Sequence, residues 1–248
     1  MEEKELGKLT NLLKWKKVIR IKDERGLAAK DEEGNPIVVY MRVIGDKDFE
    51  DASLKARYAS ASRRVALSVA GSEDYISNVA IFDNATKEQC IEMIVQGRGA
   101  NWTGEALSNV TVPELPKIED VARDPDAPTL EELEKLDKMA LDIDKEYRAE
   151  LEQYVKTREE VLRVELDAKP LEELIELAKQ EVIVVLSIQM YLDTLIDEKV
   201  WRAVYQDEEY TLREFTSVEE FQNLNARLKE YLREEYRRLE AGLEDIKN

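Results

Sequence analysis

A mainly helical α+β fold, an N-terminal β-hairpin with helices followed by a C-terminal helical bundle, is predicted by three features of this 248-residue chain. Two β-branched runs near the start, Trp15–Lys22 and Ile37–Ile44, flank a segment rich in turn formers. Beyond residue 130, apolar residues recur every three or four positions. Gly 9 and Pro 6 are few, and 37% of residues are charged, a composition that favours helix over loop.

In chain order, Met1 to Lys14 reads as a short charged helix or arm. In the first strand, alternation sends Lys14, Lys16, Val18 and Arg20 to one face and Trp15, Lys17, Ile19 and Ile21 to the other. An isolated hairpin is marginal in water, so the pair must pack on a helix or another strand. Asp46 or Asp48 caps a helix expected over 48–70 that ends at Gly71. Its alanines leave a low-profile face, and Lys55, Arg57, Arg63 and Arg64 make another face basic. Thr86 and Gln89 form a capping box for a shorter helix terminated by Gly97, with an irregular stretch from Gly97 to Pro116.

Pro113, Pro116, Pro125 and Pro128 cannot be crossed by one helix. They predict a linker over 113–129, between a module at 1–112 and an acidic bundle at 130–248. Leu130, Leu133, Leu136, Ala140, Ile143, Tyr147, Leu151 and Tyr154 stripe a long charged helix. Pro170 interrupts the pattern, and Leu171 begins a helix whose centre, Val182–Leu186, reads as the most buried part of the bundle. Trp201 to Phe215 is expected to form a second hairpin. Ser217-Val-Glu-Glu220 is a capping box for a last helix reaching Leu243.

Composition removes several function classes. With no His, the usual general base at neutral pH, Ser-His-Asp and Cys-His catalysis, and imidazole-based metal sites are excluded. The single Cys90 forbids an intrachain disulfide and multi-thiolate metal sites, and suits core packing. No secretory signal or bilayer-length apolar run is apparent, so a soluble, intracellular protein is expected. The Asn-x-Thr patterns at Asn84, Asn101 and Asn109 then have no glycosylation meaning.

Net charge is −18, and it is unevenly placed. Residues 1–70 hold 15 basic and 12 acidic side chains, leaving 22 basic and 43 acidic for the rest. Such acidity repels nucleic acid and anionic membranes, so protein partners are expected, including further copies of this chain. The basic N-terminal zone and the acidic second half make a complementary pair.

The glycine spacing from Gly99 to Gly104 suits a phosphate loop, but Glu105 and Ala106 replace the required lysine and hydroxyl. Asp142, Asp144 and Glu146 begin like a calcium loop, but Tyr147 and Gln153 stand where glycine and a closing acid are needed. Asp46 with Asp48, and Asp124 with Asp126, read as capping and turn residues; carboxylate-held magnesium in a phosphoryl-transfer or nuclease enzyme is the remote alternative. No catalytic residue, metal ligand or cofactor is assigned. Trp15, Trp102 and Trp201, with Arg57, Arg63 and Arg64, are the candidate interaction anchors.

Two segments carry a resemblance. Trp15, Val18 and Ile19, leading through the hairpin to Val39-Tyr-Met-Arg-Val-Ile-Gly-Asp46 and a basic alanine-rich helix, resemble the start of proteins encoded among the tail genes of long-tailed bacteriophages. Glu214-Phe-Thr-Ser-Val-Glu-Glu-Phe221 and the charged helix after it are similar to the closing part of tail assembly chaperones and related small acidic phage proteins. Together they cover about a third of the chain. The resemblance implies a soluble, non-enzymatic protein that coats a tape measure protein while the tail tube polymerises. The long acidic helical second half departs from that pattern. A structural virion protein of head, connector or tail is the alternative.

Overall fold

The computed structural model describes residues 16–21, 28–30, 33–123 and 129–247. The expected helix or arm at 1–14, Trp15, Pro125 and Pro128 lie outside them. The fold is α+β and mainly α, with a three-stranded antiparallel sheet of order β1-β2-β3.

Strand β1 (Lys16–Arg20) pairs with β2 (Val38–Arg42), placing Val18 opposite Tyr40 and Ile19 opposite Val39. As alternation requires, Ile19, Val39 and Met41 are buried while Val18 faces solvent. The connection is drawn in by Ile37 N donating to Ala29 O and Ala29 N to Ile21 O, both at 2.8 Å. The third strand comes from the far end of the sequence: β3 (Val204–Tyr205) sets Met41 opposite Val204.

Helix α1 spans Asp46–Ser68, two residues earlier than expected at each end, and Gly71 beyond it takes φ +93°, a conformation open to glycine at little cost. A short helix that the sequence reading missed, α2 (Glu73–Asn78), is capped by Ser72, which accepts from Tyr75 N. One 3₁₀ turn, Ala80–Asn84, leads to α3 (Lys87–Asn109). The expected capping box is present: Thr86 Oγ1 accepts from Gln89 N at 3.3 Å, and Gln89 Oε1 from Thr86 N at 2.8 Å.

Gly97 does not end α3, which continues through Gly99 and Gly104 to Asn109 and replaces the expected irregular stretch up to that point. The reason is tertiary. A Cβ at Gly97 would lie 2.4 Å from Glu181 Cγ, so the missing side chain is what lets a neighbouring helix approach. A 3₁₀ turn at Ile118–Asp120 precedes α4, which runs from Leu130 to Asp167, with Thr129 and Glu132 forming a second reciprocal cap. Helix α5 follows as Leu171–Ala203.

Trp201 to Ala203 are thus the last residues of α5, and not strand as expected; only Val204 and Tyr205 extend, bridged to Arg213. The intervening loop folds on Asp207, whose carboxylate accepts from Leu212 N at 2.7 Å and Thr211 N at 3.0 Å. The expected terminal helix is two helices, α6 (Val218–Gln222) and α7 (Ala226–Lys247). Asn225 makes the break by capping the second, its Oδ1 accepting from Leu228 N at 2.8 Å.

The chain forms two compact units, Met1–Val65 with Leu186–Asn248, and Ala66–Val185. This division differs from the expected modules at 1–112 and 130–248, because α4, which follows the prolines, packs on α3, which precedes them. The first unit has a core of Ile19, Val39, Met41, Ile196, Val200, Val204, Phe215, Phe221, Leu232 and Tyr236, in which the sheet meets α5, α6 and α7.

In the second unit, α3 and α4 run antiparallel, as the cross-links show: Lys87 to Asp167 at 3.0 Å, Glu92 to Arg163 at 2.7 Å, Glu105 to Arg158 at 3.1 Å and Asn109 to Tyr154 at 3.3 Å. The centre of α5 is not buried all round. Val182 is inside, but Val184 is exposed, and the residues of α5 with no exposure are Leu174, Ala178, Val200 and Ala203. Its apolar centre therefore leaves part of its circumference in solvent.

Candidate interaction site

Two features of the first unit involve the candidate anchors, and the sequence brings them to opposite sides of α1. The inner side carries Ala52, Ser53 and Ala56, all buried. Toward α5, Ser60 Oγ donates to Ser187 O at 2.7 Å.

Along that contact sits a buried ion network. Arg202 donates to the carboxylates of both Asp51 and Glu198, and to the Glu198 carbonyl at 2.6 Å. Glu198 also accepts from Trp201 Nε1 at 3.0 Å and from Lys55 Nζ at 3.4 Å. The guanidinium carbons of Arg202 and Arg213 lie 4.4 and 5.4 Å from the Trp201 ring centroid, within cation–π range. Arg213 continues to Asp48 at 3.3 Å. Glu198 and Arg202 carry charge in the interior, which is tolerated because each is paired and hydrogen-bonded. Trp201, half-buried, is therefore a bracket within the unit.

The outer side of α1 is different. Leu54, Tyr58, Ala61 and Val65 follow at four, three and four residues, the spacing of a heptad seam, and all four are exposed; Tyr58 is 67% exposed and Val65 63%. Arg57 and Arg64, also exposed, flank this seam, while Arg63 is half-buried. From Ala52 to Ser72 there are four basic residues, Lys55, Arg57, Arg63 and Arg64, and no acid. In a protein of net charge −18, that interval is a cationic island.

In the second unit, Trp102 is buried within α3, its ring 3.6 Å from where a Cβ at Gly99 would stand. Cys90 is also buried, and burial pushes its thiol up from the ordinary value. A cleft of about 480 Å³ between α3 and α4 is lined by Lys87, Glu88, Ile91, Arg163, Val164 and Asp167. The Arg163 hydrogen bond, with a second from Gln96, holds the Glu92 carboxyl below the usual carboxylate range. Hydrogen bonding to Asp83 likewise raises the Lys179 ammonium. Among the described residues, no group of three acidic or thiol side chains is placed to hold a metal ion. No described helix is long and apolar enough to cross a membrane.

Sequence reasoning singled out Arg57, Arg63 and Arg64 but not the outward seam of Leu54, Tyr58, Ala61 and Val65 beside Arg57 and Arg64. The spacing was visible, yet the alanines of α1 drew attention to its other face. The Glu198–Arg202 pair carried no signal, since an i, i+4 pair is ordinary on a solvated helix. No family model matches the chain, no curated protein is similar to it, and no solved structure is similar to it.

Proposed function

We propose that this protein is a non-enzymatic binding protein of bacteriophage assembly, acting as a tail assembly chaperone that holds a tape-measure-like partner in the host cytoplasm. The observation that carries the reading is the coexistence of strong acidity with apolar residues left in solvent along helices: Leu54, Tyr58 and Val65 on α1, Leu130 and Leu141 on α4, and Ile188 and Leu192 on α5. A chaperone for a long helical client needs this combination. Exposed apolar positions capture the client, and net charge keeps the complex from aggregating. The resemblance of the two terminal segments to phage tail proteins supplies the client class.

Tagged protein purified from the native source at moderate salt, with stoichiometric partners identified by mass spectrometry, tests the reading. A long helical tape measure partner is expected, with the protein absent from purified particles. Abundant copies in particles would replace it with a structural role, and a partner outside tail assembly would overturn it.

A further inference from the structure

The outer face of the sheet in the first unit carries two arginines that no carboxylate holds. The register, with Val18 opposite Tyr40 and Arg20 opposite Val38, puts Val18, Arg20, Tyr40 and Arg42 on one side and the buried Ile19, Val39 and Met41 on the other. Val18 is 57% exposed, Tyr40 is half-buried, and Arg20 and Arg42 are exposed. Nearby cations are spoken for: Lys17 is paired with Glu235, and Arg213 with Asp48. Among the described residues, neither Arg20 nor Arg42 has a carboxylate partner. This is unusual in a chain with 55 acids against 37 bases, where carboxylates are plentiful.

Arg42 is aimed rather than loose. Its Nε donates to Tyr205 Oη at 3.0 Å, and its guanidinium carbon lies 4.7 Å from the Tyr205 ring centroid and 5.9 Å from that of Tyr210. Tyr210 takes φ +60°, in the left-handed region that residues with a side chain enter at a cost. Its ring meets those of Tyr40 and Tyr205 edge-on, with centroids 6.2 and 5.4 Å away. The strained turn thus supplies part of the aromatic floor under Arg42. Among the described residues, no acceptor takes the two terminal nitrogens of Arg42. These form the planar fork that meets a carboxylate through two parallel bonds. The Glu208 charge is felt at the Tyr210 hydroxyl, but it makes no ion pair with Arg42.

We infer that this face, through Val18, Arg20, Tyr40 and Arg42, receives an acidic extended segment of a partner protein in which two carboxylates flank an apolar residue at alternate positions. The spacing follows from the sheet. Arg20 and Arg42 stand diagonally across β1 and β2, with Cα atoms about 14 Å apart from the rise and spacing of strands. Val18 and Tyr40 lie between them. In an extended segment, residues i and i+4 are about 13 Å apart, and residue i+2 faces the same way. Nucleic acid fits this face less well. The Tyr205 and Tyr210 rings are buried and offer no open face to a base, and the net charge of −18 opposes a phosphate backbone. Failure of the phage reading would leave this surface untouched, since that reading draws on apolar positions of the helices.

The test is titration of the full chain with the peptide acetyl-Glu-Thr-Val-Thr-Glu-amide at about 50 mM salt, followed by amide resonance shifts. Saturable shifts in β1 and β2 are expected, and the same peptide with Gln for both Glu should give none. Arg42→Gln and, separately, Arg20→Gln should each weaken binding about tenfold or more. Arg42→Lys should fall between, because it keeps the charge and loses the fork. Arg238→Gln, at an exposed position of α7, should leave binding unchanged. Arg20 has no part in the ring cluster, so its variant keeps the test decisive if Arg42→Gln disturbs the tyrosines. Absence of shifts, equal binding of the neutral peptide, or indifference to both arginine variants would overturn the inference. Tighter binding of a short oligothymidylate at the same residues would also overturn it, in favour of nucleic acid.

Discussion

Arg202 and Glu198 are the residues where a single atom group matters most, because each leaves a charge in the interior if its partner is removed. Arg202→Ala strips Glu198 and Asp51 of their shared guanidinium and should cost about 3–5 kcal/mol in urea unfolding. The same change at Arg238, whose side chain is 62% exposed beside Glu234, should stay within about 0.5 kcal/mol. Glu214 behaves in the opposite sense. Burial pushes its carboxyl up, the nearby Glu220 charge adds to this, and a hydrogen bond from Gln206 works against it. A raised acid favours the folded state while protonated, so its contribution is present below the unfolded value of about 4.3 and is lost as pH rises through the folded value. Glu214→Gln should therefore gain stability relative to the parent between pH 4 and pH 7, as followed by unfolding midpoints at the two pH values. A constant difference would show that the carboxyl titrates alike in both states.

At the scale of elements, the distinction that decides whether a glycine ends a helix is what lies against it. Gly71 has open space around it and a positive φ, so it terminates; Gly97 has Glu181 against its Cα and the helix runs through. Gly97→Ala should lose stability, since Glu181 must move away from its place beside Arg98. In a Glu181→Ala background the same substitution should gain about 1 kcal/mol, the ordinary advantage of alanine in a helix, and a thermal-melt double-mutant cycle would read the difference. The capping boxes at Thr86 and the hairpin strands were legible in the sequence because local bonds and period-two alternation decide them. Asn225 was legible too, as a residue type that caps helices, but a run of leucines at helical spacing crosses it and hides the break. The alternation from Trp201 to Phe215 was legible as a hairpin, but only Val204 and Tyr205 are strand, where Met41 and Tyr40 offer partners, while Trp201 to Ala203 stay in the helix. The outward seam of α1 was readable as spacing, but which face of a helix is inside is settled by packing, and no local pattern separates two faces that are both apolar.

For the molecule as a whole, the first unit is made of sequence from both ends. Tyr231 donates its hydroxyl to Arg20 O across 211 positions, and Tyr236 sits in the same core as Ile19 and Met41. The second unit closes on α3 and α4 with its own cross-links. Deleting α7 should therefore abolish amide-exchange protection in β1 and β2 while leaving α3 and the C-terminal half of α4 protected, a contrast that exchange mass spectrometry resolves. Equal loss in both would mean a single cooperative core.

Assembly of the first unit also has an order imposed by synthesis. A growing chain leaves the ribosome N-terminus first at about 5–20 residues per second, so the hairpin emerges roughly ten seconds or more before Leu232 and Tyr236 exist to cover it. During that interval Ile19, Val39 and Met41 present an apolar strand pair to the cell, while the intervening unit can already fold. The newborn hairpin is thus the part of this protein most in need of protection, and its vulnerability ends only when α7 has been made.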